Sequence, residues 1–169
     1  MAPFDDSDFE QLVPKPKRQG PSLKARAVAI LSRREHSRVE LARKLAPHAD
    51  PDDTTQLQKV LDELERDNWL SNERFAQSLV HRRAGGRGAA LVLQELRRHG
   101  LADEQLADIR QQLQSTEIQR ATEAWQKKFG RPPVDAKDHA RQLRFLASRG
   151  FSSQCLRQIL AQYNEHEDK

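Results

Sequence analysis

One pattern recurs fifty residues apart. Leu96-x-x-x-Gly100-Leu101 and Leu146-x-x-x-Gly150-Phe151 have the same shape. In each, a leucine packs inward, a glycine takes the left-handed cap, and an apolar residue folds back on the helix just ended. Helix starts near Ser37, Gly88 and Lys137 keep the same spacing. A period near 50 with three helices per unit restricts the chain to stacked helical modules. The first copy would end Leu45-x-x-x-Ala49, with Pro47 in place of the glycine. No stretch alternates with period two and β-branched residues are few, so no strand is expected. The expected fold is all-α: three tandem three-helix repeats of about 50 residues in an elongated array able to curve.

Local signals divide the chain. Residues 1–21 read as a disordered tail, since acidic residues and then a Pro/Lys/Arg run leave little apolar surface to offset ordering. Repeat 1 spans 22–70, with Ser22 as a cap, a Ser37/Glu40 capping box and a start signal at Pro51-Asp52-Asp53. Asn68 suits the turn that ends it. Repeat 2 spans 71–114 from the Ser71 cap, and Gly85-Gly86-Arg87-Gly88 reads as a flexible turn between its first two helices. Repeat 3 spans 115–163, followed by a polar tail at 164–169. Trp69 and Trp125 are expected in the core. Each unit is small, so neighbours are expected to share apolar contacts.

Composition narrows the function. Only 36% of residues are apolar and 32% are charged, too little apolar material for one large core. No apolar run is long enough for a membrane span, and no basic-then-apolar leader opens the chain, so a cytoplasmic protein is expected. Cys155 is the only cysteine, which excludes an intrachain disulfide and a four-cysteine zinc site. No two histidines form an i, i+4 pair. His36, His48, His81 and His99 fall at helix ends or loops, where surface roles are expected. No catalytic constellation, metal or cofactor is expected, and a monomer is the default.

Charge remains. The net charge is +4, in alternating blocks: seven basic and no acidic residues over 11–34, eight acidic against two basic over 50–73, and five arginines against Glu95 over 81–100. Arginine makes bidentate bonds to carboxylate or phosphate, so the partner is an acidic protein surface or a nucleic-acid backbone. A stand-alone DNA-binding regulator is the competing class. Ser37 to Leu70 could pass for part of a winged helix, but another helix follows where a wing needs a hairpin. The helix at Leu57 to Leu64 is also acidic.

Several stretches together resemble bacterial RecX regulatory proteins. They are Arg34-Glu35-His36-Ser37-Arg38-x-Glu40-Leu41-x-x-Lys44-Leu45, Leu61-x-x-Leu64, Trp69-Leu70-Ser71-Asn72-Glu73-Arg74-Phe75-Ala76 and Glu95-Leu96-x-x-x-Gly100-Leu101. The family usually has an aspartate pair where this chain has Ser71-Asn72, and often a glycine where it has Asn68. The resemblance implies three tandem three-helix repeats and a non-enzymatic regulator. Such a protein binds the RecA recombinase filament and suppresses strand exchange, ATP hydrolysis and co-protease activity, with single- or double-stranded DNA as a further contact. Within that picture, charge alone selects Arg34, Arg38, Arg43, Lys44, Arg74, Arg82, Arg83, Arg87, Arg97 and Arg98 as RecA- or DNA-binding residues.

Overall fold

The computed structural model describes residues 20–167, with side chains through Gln162. Most of the expected N-terminal tail and the Tyr163 side chain lie outside these limits. The described residues form helices in three groups and no strand. Repeat 1 holds α1 (Leu23–Leu31), α2 (Arg38–Leu45) and α3 (Gln56–Arg66). Repeat 2 holds α4 (Asn72–Arg83), α5 (Ala89–Arg98) and α6 (Ala107–Ser115). Repeat 3 holds α7 (Glu117–Lys128), α8 (Ala136–Ser148) and α9 (Ser153–Glu167).

Serine caps form as their chemistry dictates. The hydroxyls of Ser22, Ser37 and Ser71 accept from the backbone N–H of Ala25, Glu40 and Arg74 at 3.1–3.2 Å. The Ser37/Glu40 box is only half formed, because the Glu40 carboxylate turns away to Arg34 and His36. Pro47 ends α2 at Leu45 and leaves a 3-10 turn, Ala46–His48. Asp53 orders the entry to α3 but sits before its first turn, bonding the Thr55 and Gln56 N–H groups. α9 runs on to Glu167 where a tail was expected, because 164–167 contain no helix breaker.

The left-handed corners are present. Gly100 (φ 84°) and Gly150 (φ 80°) follow α5 and α8. The Leu101 and Phe151 N–H groups fold back to Leu96 and Leu146 carbonyls. Asn68 takes the same conformation (φ 59°) after α3, with Trp69 and Leu70 both donating to the Leu64 carbonyl. Asparagine tolerates that region better than most residues, so the missing glycine is absorbed. The corner buries Leu70 but leaves Trp69 47% exposed. Trp69 is therefore not a core anchor, whereas Trp125 is fully buried and donates to Gln142 at 2.7 Å.

Each repeat closes its own core. One cluster runs from Leu23 to Leu70, a second from Phe75 to Leu113, and a third from Ala121 to Ile159 with Cys155 packed inside. The three buried clusters are separate, and neighbouring repeats meet through a recurring contact. The starts of α2 and α5 dock on the next repeat. The N–H of Arg38, first in α2, donates to Asn72, first in α4 (2.9 Å). The N–H of Ala89, first in α5, donates to Glu117, first in α7 (3.1 Å). Beside them, Val39 lies against Gly100 and Leu91 against Gly150. Two orphan donors of helix N-termini are thereby satisfied across the junction.

At α8 the cap is Asp135, which accepts from Asp138 N–H at 2.6 Å as Ser37 accepts from Glu40, and buried Asp138 accepts from the Val134 N–H at 3.4 Å. Asp138 also receives Gln142 and Arg141, so repeat 3 orders the start of α8 with its own side chains.

The junction between repeats 2 and 3 has two further parts. The Gly88 N–H donates to the Arg149 carbonyl at 2.8 Å, and the two backbones touch there. The expected flexible turn is thus a short 3-10 turn, Ala84–Gly86, leading into a fixed crossing. Arg120 of α7, 8% exposed, spans the same joint. It donates to the carbonyls of Ala84, Arg87 and Leu113 and to the Thr116 hydroxyl, and lies 5.9 Å from the Phe151 ring centroid.

Candidate interaction surfaces

The ten selected cations separate into paired and free. Arg38 reaches from α2 to α3, bonding Asp62 (2.7 Å), Glu65 (2.6 Å) and Gln58 (2.8 Å). Arg34 pairs with Glu40. Arg74 bonds Glu35 (2.8 Å) and the carbonyls of Asn68 and Trp69, tying α4 to the loop before α2. Arg97 turns to Asp103 (2.9 Å), which also receives Arg110 and is held below the usual carboxylate range by the Arg97 hydrogen bond. These four serve the fold before any partner.

Arg83, Arg87 and Arg98 do come together. With Leu91, Gln94, Glu95 and His99 they line a cleft of about 390 Å³ on α4 and α5. Glu95 pairs with Arg87 (2.9 Å) and Arg83 (3.3 Å), leaving a net positive cleft in which Arg98 has no ion pair among the described residues. Arg82, exposed on α4, bonds the Ser78 carbonyl and has no acidic partner among the described residues. Arg43 and Lys44, exposed in the last turn of α2, have no acidic partner among the described residues. There they suit the negative end of the helix dipole and remain open to a partner.

His36 is 3% exposed, contrary to the expected surface role. It precedes the buried Ser37, whose hydroxyl lies 3.2 Å from His99 Nδ1, and His99 packs on Phe75 at 4.8 Å. His36 Nδ1 lies 3.1 Å from Glu40 Oε1 but at an angle that makes no hydrogen bond. Burial lowers its pKa below the ordinary imidazole value; Glu40 opposes that shift and Arg34 adds to it. The unfolded chain therefore binds a proton as pH falls through about 6.5 while the folded chain resists, and stability drops. Burial pushes the Glu40 carboxyl up, but the Arg34 hydrogen bond and other partners bring it below its ordinary value, so its contribution is lost at still lower pH. The thermal midpoint is expected to fall between pH 7.5 and 5.5, and His36→Asn to flatten that fall. An equal fall in the variant would remove His36 as the cause.

None of the ten lies in repeat 3. Residues 115–163 carry nine basic side chains against four acidic, whereas 22–70 carry nine against nine. Net charge counted per repeat would have found this; counting local arginine clusters did not. Among the described residues, no three His, Cys, Asp or Glu side chains group as metal ligands. No helix there is long and apolar enough to cross a membrane.

Residues 71–108 match the second three-helix domain of RecX, and residues 115–160 the third. The chain is 53% identical over 148 residues to regulatory protein RecX of Ralstonia pickettii, covering 88% of this chain and 92% of that one. It is 49% identical over 147 residues to that of Leptothrix cholodnii, covering 87% and 92%. A crystal structure of RecX from Lactobacillus salivarius superposes with a TM-score of 0.71 over 84% of this chain and 94% of that one, at 16% identity, and so shares the fold.

Proposed function

This chain belongs to the RecX family of regulatory proteins, and from that premise we propose that it binds RecA and the RecA–DNA filament. It inhibits recombinase, ATPase and co-protease activities and so tempers DNA repair and the SOS response. It acts in the cytoplasm as a monomer and without catalysis of its own. Family membership along nearly the whole chain is the observation that carries this reading. Free cations support it: Arg43 and Lys44 on α2, Arg82 on α4 and Arg98 in the α5 cleft can meet acidic groups without first breaking an internal pair.

Neutralising those four together is expected to raise the concentration giving half-inhibition of RecA at least tenfold, roughly 1.4 kcal/mol. Arg38→Gln is expected to lower the thermal midpoint and leave inhibition unchanged while the protein is folded, because Arg38 serves α3. Inhibition assays at 25 °C, with thermal melts of each variant, check both. Unchanged inhibition by the fourfold variant would remove these residues from the interface.

The alternative, a stand-alone DNA-binding regulator, fits less well. The α3 surface that would enter a groove carries Asp62, Glu63 and Glu65, and α4 starts where a wing would stand.

A further inference from the structure

Repeat 3 holds a basic cleft that the RecA reading does not use. It lies between α7, α8 and the Ala84–Gly86 turn, encloses about 280 Å³, and is lined by Lys127, Lys128, Phe145, Arg149, Ala124 and the two turn glycines. We infer that it binds the sugar–phosphate backbone of a single nucleic-acid strand, with one base stacked beside Arg149 and Phe145.

Four observations carry this. First, among the described residues no carboxylate lines the cleft, unlike the α5 cleft, where Glu95 occupies two arginines. Second, none of its cations has an ion pair among the described residues. Lys127 and Lys128 are exposed, and Arg149 donates to the uncharged Gly86 carbonyl at 3.3 Å. Third, Arg149 is held in place. Its carbonyl takes the Gly88 N–H, its guanidinium lies 4.7 Å from the Phe145 ring centroid, and Phe129 braces that ring edge-on at 5.3 Å. A guanidinium plane backed by fixed aromatic rings is a stacking platform beside point charges for phosphate. Fourth, the volume suits about one nucleotide, too small for a protein element. Lysines in the last turn of α7 also suit its dipole, but that role asks for neither the aromatic floor nor the missing acids. The platform sits within the cleft, so a base must leave a duplex to reach it, which selects a single strand.

The test uses the full chain without RecA, so its failure leaves the RecA reading untouched. Anisotropy of labelled oligo(dT) 20-mer and of a 20-base-pair duplex is measured from 50 to 200 mM salt. Single-strand binding tighter than duplex binding is expected. Lys127→Ala/Lys128→Ala is expected to weaken it at least tenfold and to flatten the salt slope by about 1.4, two phosphate contacts' worth. Phe145→Leu, which keeps an apolar side chain, is expected to weaken binding with the slope unchanged. Melts confirm that each variant is folded, and Lys127→Glu/Lys128→Glu provides a second variant in which binding should be lost. The proposal is overturned by no binding at 50 mM salt, by an unaffected lysine variant, by equal affinity for duplex, or by poly-glutamate competing as well as oligo(dT).

Discussion

Gly88→Ala is expected to destabilise the protein by about 3 kcal/mol, the upper range for forcing one extra carbon into a packed site. The cause is steric. Gly88 has φ −70° and ψ 163°, which any residue adopts. Its added Cβ, however, would overlap the carbonyl carbon and oxygen of Gly150 and the nitrogen of Phe151. All three are backbone atoms and have no rotamer to change. Repeats 2 and 3 would have to separate, breaking the Gly88–Arg149 hydrogen bond and loosening Ala89 from Glu117. Gly85→Ala in the same turn is the control. Nothing lies within 4 Å of its added Cβ, so a change under about 0.5 kcal/mol is expected. Urea unfolding of the two variants decides. Equal stabilities would mean that the two backbones do not cross at Gly88.

Arg120→Met is expected to cost about 3 kcal/mol, because partly buried acceptors at the joint each lose a charged donor. Burial disfavours the Arg120 charge, and its pKa lies below the ordinary arginine value for that reason. Its hydrogen bonds to three carbonyls and a hydroxyl offset that cost. Methionine fills much of the volume but takes a charged donor from each of those carbonyls, with Ala84 keeping the Arg87 N–H and Leu113 the Thr116 hydroxyl. Arg120→Lys keeps the charge yet lacks the planar fork that spans Ala84, Arg87 and Leu113, so it should recover only part of the loss. Hydrogen exchange adds a local reading. The Arg87 and Gly88 amides, protected by Ala84 and Arg149 carbonyls, should exchange faster in Arg120→Met. A methionine variant as stable as the parent, with unchanged exchange, would contradict the strut role.

These two residues show where sequence reading stops. Ser22, Ser37 and Ser71 act locally, so their caps were legible, as were the glycine corners at 100 and 150, whose hydrogen bonds close within six residues. Gly88 looked like part of a flexible turn because its constraint comes from Gly150, sixty-two residues away. Arg120 sat on an amphipathic helix with nothing nearby to mark it as buried. The same distinction governs the candidate surface. Arg38 and Arg74 looked free because their partners lie 24 and 39 residues away, at Asp62 and Glu35. Trp69 looked apolar and therefore internal, but the left-handed turn at Asn68 aims Leu70 inward and leaves the indole outside. Asn72, where the family usually has aspartate, accepts from Arg38 N–H just as a carboxylate would.

DNA-dependent ATP hydrolysis by RecA on single-stranded DNA is the decisive readout of RecA regulation by this chain. The folded chain is titrated in at two salt concentrations. The expected result is inhibition, stronger at the lower salt. Inhibition well below one copy per RecA would point to control of filament growth or ends, and inhibition near one copy per RecA to binding along the groove. A hydrolysis rate unchanged at low salt, with the protein shown to be folded, would rule out RecA as its target.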